Sequence, residues 1–167
     1  MDVKNAIAER RSIRKFRTDP VEKDKLAEIA EAFRLAPSAV NAQNWKLLIV
    51  TDEKTKEQIR QSSPSKPEMM TQAPVVLVGI CSSQKLMENS HRVDSIDVSI
   101  AMSFAMLRAQ ELGLGTCWMG YYKEPELRDA LKLPNDISIP AIMLLGYADE
   151  DPEPRPRKYT TEVVTYI

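Results

Sequence analysis

The stretch from Asp94 to Leu112 constrains the fold of this chain more than any other part of the sequence. Apolar residues cover almost the whole circumference of the helix it would form: Ile96, Val98, Ile100, Ala101, Met102, Phe104, Ala105, Met106 and Leu107. A helix of this kind has to be enclosed by protein on most sides. Gly113 is expected to end it. The sequence therefore predicts one long, buried helix at the centre of the fold.

The other segments alternate between short helices and apolar strands. Strands are predicted where apolar residues run together between turn signals, at residues 45–51, 75–80, 116–121 and 139–147. Helices are predicted at residues 2–10, 21–35, 52–61 and 125–131, and a loop rich in Pro and Ser at residues 62–72. The pattern is that of an α/β or α+β domain with the buried helix against a mixed sheet. We expect residues 1–167 to form a single domain.

The last twenty residues have a different character. Alternating prolines in residues 149–157 (DEDPEPRPR) disfavour a helix and favour an extended arm, which we place at residues 148–167. Residues 162–167 (EVVTYI) are predicted to add a strand, either to this sheet or to that of another subunit.

Composition excludes several classes of protein. Two cysteines and one histidine cannot build a Cys/His zinc site or a disulfide framework. A formal net charge of -1 gives no general electrostatic reason for binding nucleic acid or a membrane surface. The longest apolar runs are too short to span a bilayer, and no secretory signal begins the sequence. We expect a cytoplasmic protein without a metal ion and without nucleic-acid or membrane partners.

Arginine is concentrated near both ends of the chain. Residues 9–17 contain three closely spaced arginines besides Arg17, and residues 155–158 add two more and a lysine. Guanidinium groups bind phosphate through paired, charge-assisted hydrogen bonds. Two interpretations remain open from the residues alone: two solvated basic faces, or an anion held between the two ends.

Three segments stand out in order: RRSIRKF at residues 10–16, APSAVNAQNW at residues 36–45 and ELGLGTCWMG at residues 111–120. The glycines of the third follow a helix and precede a strand, which is the wrong context for a dinucleotide-binding fingerprint. Together the three segments resemble the FMN-dependent nitroreductase family, over essentially the whole chain. The resemblance implies an α+β homodimer with two FMN sites at the interface and exchanged C-terminal arms.

The resemblance also implies which residues contact FMN. In the family, residues matching Arg10, Arg11 and Ser12 contact the phosphate and ribityl chain, and a basic pair matching Arg155 and Arg157 returns to the phosphate. The flavin ring would be contacted by a second group. It comprises Arg14 at the pyrimidine edge, Ser38 and Asn41 in the second segment, and Trp118, Met119 and Gly120, where a backbone amide of Met119 or Gly120 donates towards N5.

The implied activity is a ping-pong reaction. NADH or NADPH reduces FMN, and the reduced cofactor then reduces a nitroaromatic, a quinone or a similar small acceptor. Because the cofactor carries this chemistry, no side chain is predicted to act as acid or base. A flavin-binding protein with little turnover, such as a sensor or storage protein, remains the alternative, and anaerobic bleaching of the flavin by NAD(P)H separates the two. A nucleic-acid binder is disfavoured because no aromatic residues for base stacking accompany the arginines.

Two departures from the family pattern concern the pocket. Asn44 stands where the usual Asn-x-Gln-Pro-Trp sequence has proline, which alters the local turn. Residues 81–93 are too few for the longer lid that many relatives carry before the central helix. We therefore expect a less covered pocket, or one completed by a partner subunit and by Ser65 and Lys66 of the preceding loop.

Overall fold

The computed structural model describes residues 2–82 and 85–167. Their helices are α1 (Val3–Glu9), α2 (Lys23–Arg34), α3 (Glu53–Ser62), α4 (Met69–Gln72), α5 (Val93–Glu111), α6 (Glu124–Ala130) and α7 (Thr160–Val163). The strands are β1 (Trp45–Val50), β2 (Val75–Cys81), β3 (Gly115–Met119) and β4 (Ser138–Gly146), and a single 3₁₀ turn spans Ala39–Asn41. Each predicted strand and each of the five predicted helices is present within a few residues of its expected bounds.

The sheet has the order β1-β2-β4-β3, and all three strand pairs are antiparallel. The predicted mixed sheet is therefore antiparallel in its four strands, and parallel pairing within the described residues is confined to an isolated bridge between Ser12 and Thr116. No βαβ crossover joins neighbouring strands in the described chain. The fold is α+β.

Helices cover both faces of the sheet. Strand β2 is buried along its whole length, and alternate residues point to opposite layers. Leu77 packs in the layer of α2 and α5, whereas Val76 and Val78 pack in the layer of α3, α4 and α6. An uninterrupted apolar strand such as β2 is stable only when both faces are covered in this way.

The central helix α5 is less enclosed than its sequence predicts. One side packs on the sheet and on α2, with Val98 and Met102 fully buried. On the opposite side Ile96 is 37% exposed and Phe104 is 44% exposed, with the half-buried Ile100 between them. Within the single chain the described elements cover one side of α5 and leave this face open.

Two further predictions need correction. The loop predicted at residues 62–72 contains the short helix α4. In the described chain, residues 162–167 do not join the sheet; residues 160–163 form helix α7 instead. The Glu162 carboxylate accepts a hydrogen bond of 2.8 Å from the backbone N–H of Tyr159, a local contact that starts a helix where β-branched residues had suggested a strand. A strand formed with another subunit stays a prediction.

Candidate functional site

The arginine-bearing segment after α1 is fixed between two parts of the sheet. The backbone N–H of Ile13 donates to the carbonyl of Thr116 in β3 at 2.9 Å. Further along, the N–H of Arg17 donates to the carbonyl of Tyr147 at 2.9 Å, just after β4 ends. The segment is therefore extended, and its side chains project from a backbone held at both ends.

Glu150 adds a third attachment. Its carboxylate accepts hydrogen bonds from the consecutive backbone N–H groups of Arg14 and Lys15, the latter at 3.1 Å. This contact ties the start of the C-terminal arm to the basic segment across more than 130 positions. Sequence reasoning missed Glu150, since nothing local distinguishes it from the other acidic residues of the arm.

Six of the predicted site residues line one cavity of about 560 Å³. They come from both ends of the chain: Arg10, Arg11, Ser12, Arg14, Arg155 and Arg157. A neighbouring cavity of about 490 Å³ is lined by four of the same arginines together with Ser103, Met106 and Leu107 of α5. The basic cluster thus lies beside the C-terminal half of the central helix.

The lining of this cavity carries more positive than negative charge. In the described part of the chain none of the five arginines forms an ion pair, although Glu153 also lines the cavity. The guanidinium groups of Arg11 and Arg14 donate to backbone carbonyls close by in the chain, those of Ala8 and Arg10 for Arg11 and that of Ser12 for Arg14. Five like charges around one space repel one another, so the arrangement favours a bound anion. Planar guanidinium forks with a serine hydroxyl suit a phosphate group in particular.

Strand β3 runs from a start beside the basic segment towards Trp118 and Met119. Because β3 begins beside Ile13, its last residues continue away from the basic segment along the sheet. Met119 is buried and Trp118 is half-buried, and both pack in the core layers. Gly120 is exposed, and a Cβ added there would meet no heavy atom of the described chain within 4 Å. Its backbone is therefore accessible to a flat ligand.

The loop before α4 is attached directly after this strand. The Ser63 hydroxyl donates to the carbonyl of Tyr121 at 2.8 Å, and the hydroxyls of Ser63 and Ser65 are 3.3 Å apart. Lys66 is exposed beside them, in a left-handed conformation. Ser65 and Lys66, which are predicted to complete the pocket, therefore lie near Tyr121, the residue that follows Gly120 in the sequence.

Ser38 and Asn41 lie elsewhere in the single chain. Ser38 is half-buried, and its hydroxyl accepts a hydrogen bond of 3.1 Å from the backbone N–H of Gln43. The N–H of Ala39 donates to the carboxylate of Asp97, in the N-terminal half of α5. Asp97 and Leu107 are separated by about 15 Å along the helix. One chain therefore does not bring these two residues to the arginine cavity.

The connection between β2 and α5 is short, as predicted. Ser83 and Gln84, which belong to the segment of the lid prediction, lie outside the described residues. From Lys85 onwards the chain turns compactly, with the N–H of Met87 donating to the carbonyl of His91 at 2.9 Å. No broad covering element is formed by the described part of this connection.

The environment of Cys117 disfavours a nucleophilic thiolate. It is buried in β3, and burial raises the pKa of its thiol above the usual value, although Arg14 and Arg10 act in the opposite direction. A raised pKa reduces the thiolate fraction on which reactivity depends. The prediction of a packed, unreactive thiol agrees with this environment.

An antiparallel sheet between two helix layers is shared with solved nitroreductase structures. A nitroreductase family protein from Clostridium difficile 630 superposes with a TM-score of 0.89 at 25% identity, covering 99% of this chain and 98% of that one. A protein from Clostridium novyi NT superposes with a TM-score of 0.85 at 28% identity, covering 93% and 89%. The fold is that of a nitroreductase-type oxidoreductase.

Comparison of the sequence with known proteins also indicates the nitroreductase family. The model of the nitroreductase family matches residues 7–67 and 60–147. A putative NADH dehydrogenase/NAD(P)H nitroreductase from Methanothermobacter thermautotrophicus is 32% identical, over 93% of this chain and 82% of its own length. The chain belongs to the nitroreductase family, which is FMN-dependent. Within residues 2–82 and 85–167, no helix is long and apolar enough to cross a membrane.

Proposed function

We propose that the chain binds FMN in the arginine-lined cavity and uses NADH or NADPH to reduce a small acceptor such as a nitroaromatic or a quinone. The observation that carries the proposal is the convergence of five arginines and Ser12 on one space, without ion pairs in the described chain. Relatives named FMN reductase [NAD(P)H], from Bacillus subtilis, and NADH dehydrogenase, from Thermus thermophilus, support the same chemistry.

The cavity residues fit the terminal phosphate of FMN. A charge-assisted hydrogen bond contributes about 1.5–3 kcal/mol, so two or three of them hold a phosphate dianion. Arg10, Arg11 and Ser12 would supply them from the basic segment, and Arg155 and Arg157 from the arm. Riboflavin, which has no phosphate, leaves the repulsion among these guanidinium groups in place. FMN is therefore the flavin that the cluster favours.

The remaining residues would orient and polarise the flavin. Arg14 places a positive charge on the same side of the segment as the phosphate cluster, and this charge would stabilise negative charge on the pyrimidine edge. Trp118, Met119 and Gly120 would present their backbone to one face, with an amide of Met119 or Gly120 donating a hydrogen bond. When bound, FMN would supply the redox chemistry: a hydride is taken from NAD(P)H in one half-reaction, and electrons pass to the acceptor in the other.

A second copy of the chain would complete the site. The exposed face of α5 carries Ile96, Ile100 and Phe104, an apolar stripe suited to an isologous contact. The midpoint between Asp97 and Leu107 falls between Ile100 and Phe104. A two-fold axis through this point would set two antiparallel α5 helices against each other, bringing Ser38 and Asn41 of one copy towards the arginine cavity of the other. A shared flavin site follows from this arrangement.

Charge reversal at the cavity tests the proposal. Arg10→Glu and Arg157→Glu should each weaken FMN binding far more than riboflavin binding, measured by fluorescence titration of the apoprotein. Arg34→Glu serves as a control, because Arg34 pairs with Glu31 on α2 and does not line the cavity. Equal losses for the two flavins would contradict a phosphate site. Anaerobic bleaching of the bound flavin by NADH or NADPH then separates a turning-over reductase from a storage protein.

A further inference from the structure

The segment from Ser38 to Gln43 has an unfavourable backbone. Val40, Asn41 and Gln43 have φ angles of 49°, 57° and 51°, all in the left-handed region. Asparagine tolerates this region, but a β-branched residue is a genuine outlier there. The side chain of Val40 is 99% exposed, so its burial does not offset the cost. Interactions elsewhere must hold this conformation.

Asp97 of α5 provides such an interaction. Asp97 is 4% exposed, and both of its carboxylate oxygens lie 3.2 Å from the backbone nitrogen of Ala39, which donates to them. The contact joins residues 58 positions apart, immediately before the left-handed residues. Since Ala39 opens the 3₁₀ turn, its N–H would otherwise lack an acceptor within the turn.

Asp97 is a costly choice for stability alone. A buried carboxylate loses its hydration, and an apolar side chain of similar size often gives an equal or more stable fold. Its neighbours on α5, Val98 and Ala101, are apolar and fully buried. Asp97 is one of two buried carboxylates on α5, and the other, Asp94, is paired with Arg92.

We propose that Asp97 is a positioning residue that holds the Ser38–Gln43 segment in the conformation with which it contacts the flavin. The inference rests on the proposed function, because only that proposal makes Ser38 and Asn41 contacts of the flavin. It assigns the link between the central helix and the pocket to one carboxylate and one backbone N–H.

The test uses the full-length protein with two independent readouts. The first is hydrogen exchange of the Ala39 amide by NMR in the flavin-free protein, and the second is the dissociation constant of FMN together with the visible circular dichroism of the bound flavin. Asp97→Ala should remove the protection of the Ala39 amide, weaken FMN binding about tenfold or more, and alter the circular dichroism. Asp97→Asn keeps an oxygen acceptor and should retain part of each.

Two further variants keep the result interpretable. Asp94→Asn removes another buried carboxylate of α5, one paired with Arg92, and should lower stability while leaving the Ala39 amide and the FMN constant unchanged. Val40→Asn should recover part of the FMN binding lost in Asp97→Ala, because asparagine tolerates the left-handed conformation. If Asp97→Ala folds poorly, Asp97→Asn alone still has to reduce protection at Ala39.

The outcomes separate the two proposals. An unprotected Ala39 amide in the wild-type protein, or protection that survives Asp97→Ala, overturns the positioning role. Lost protection with unchanged FMN binding also overturns it, since the segment would then not contact the flavin. A wild-type protein that binds no FMN refutes the proposed function itself, and this is seen before any variant is made.

Discussion

The Cβ atom that Gly115 lacks would lie 2.7 Å from Cγ1 of Ile13, closer than real Cβ contacts allow. Gly115 begins β3, and Ile13 is the buried residue at the centre of the arginine-bearing segment. Two of the sequence motifs therefore meet at one point. The absent side chain at position 115 lets the basic segment approach the sheet closely enough to bond the Thr116 carbonyl.

Gly115→Ala should displace Ile13 and weaken both the fold and the anion site. Overpacking of this kind costs about 1–3 kcal/mol, so urea unfolding should show a lower midpoint with an unchanged slope. FMN binding should also fall, since Ser12 and Arg14 flank Ile13. Gly120→Ala is the control for stability, because its Cβ would meet no described atom within 4 Å. Equal midpoints for the two variants would contradict the close-approach argument.

Arg14→Ala should lower the reduction potential of the bound flavin. Removing a positive charge beside the pyrimidine edge destabilises the more negative, reduced state. For a two-electron couple about 30 mV corresponds to about 1.4 kcal/mol, so even one weakened interaction is measurable. Potentials would be determined by dye equilibration in flavin-saturated protein, with Arg34→Ala as the matched variant outside the cavity. An unchanged potential in the loaded Arg14→Ala variant would exclude this role.

The ion pair between Arg92 and Asp94 should make stability depend on pH in the acid range. Burial alone raises the pKa of Asp94, but hydrogen bonds from Arg92 and Ser138 and the Arg92 charge outweigh it, and the net pKa is lowered. A folded pKa below the unfolded value of about 3.9 means that the stabilisation is present above about pH 4 and is lost as the pH falls through the folded pKa.

Asp94→Asn should therefore be less stable than the wild-type protein near pH 7, and the difference should shrink towards about pH 3. Urea unfolding midpoints of both proteins across this range measure it. A constant difference between them would show that ionisation of Asp94 is not the source of the stabilisation.

Deletion of the residues after Glu162 should weaken both dimerisation and FMN retention. Val163, Val164 and Tyr166 are exposed in the single chain, which leaves apolar surface that a second copy would cover. Sedimentation velocity at micromolar concentration, with and without flavin, measures the association, and absorbance of the purified protein measures the retained cofactor. A full-length, flavin-loaded monomer would refute the shared site.

Much of the architecture was predictable because its causes are local. Apolar runs identified all four strands, and Asp2 and Asp52 were predictable starts of α1 and α3, where their carboxylates accept backbone hydrogen bonds of 2.8 Å. The C-terminal strand was the exception. A strand needs an edge to pair with, whereas the Tyr159–Glu162 contact that starts α7 lies within a single turn.

The site was predictable as a set of residue types but not as an arrangement. The sequence by itself determined that arginines near both ends could share an anion, because guanidinium chemistry is a property of the residue. Tertiary structure alone decided that Glu150 would fix the backbone of Arg14 and that Asp97 would reach Ala39. It also buried Lys56 of the polar helix α3 to 1% exposure, where its ammonium donates to the carbonyl of Ala73 at 2.9 Å. Such contacts join positions far apart in the chain, so they depend on which surfaces pack together and leave no local pattern.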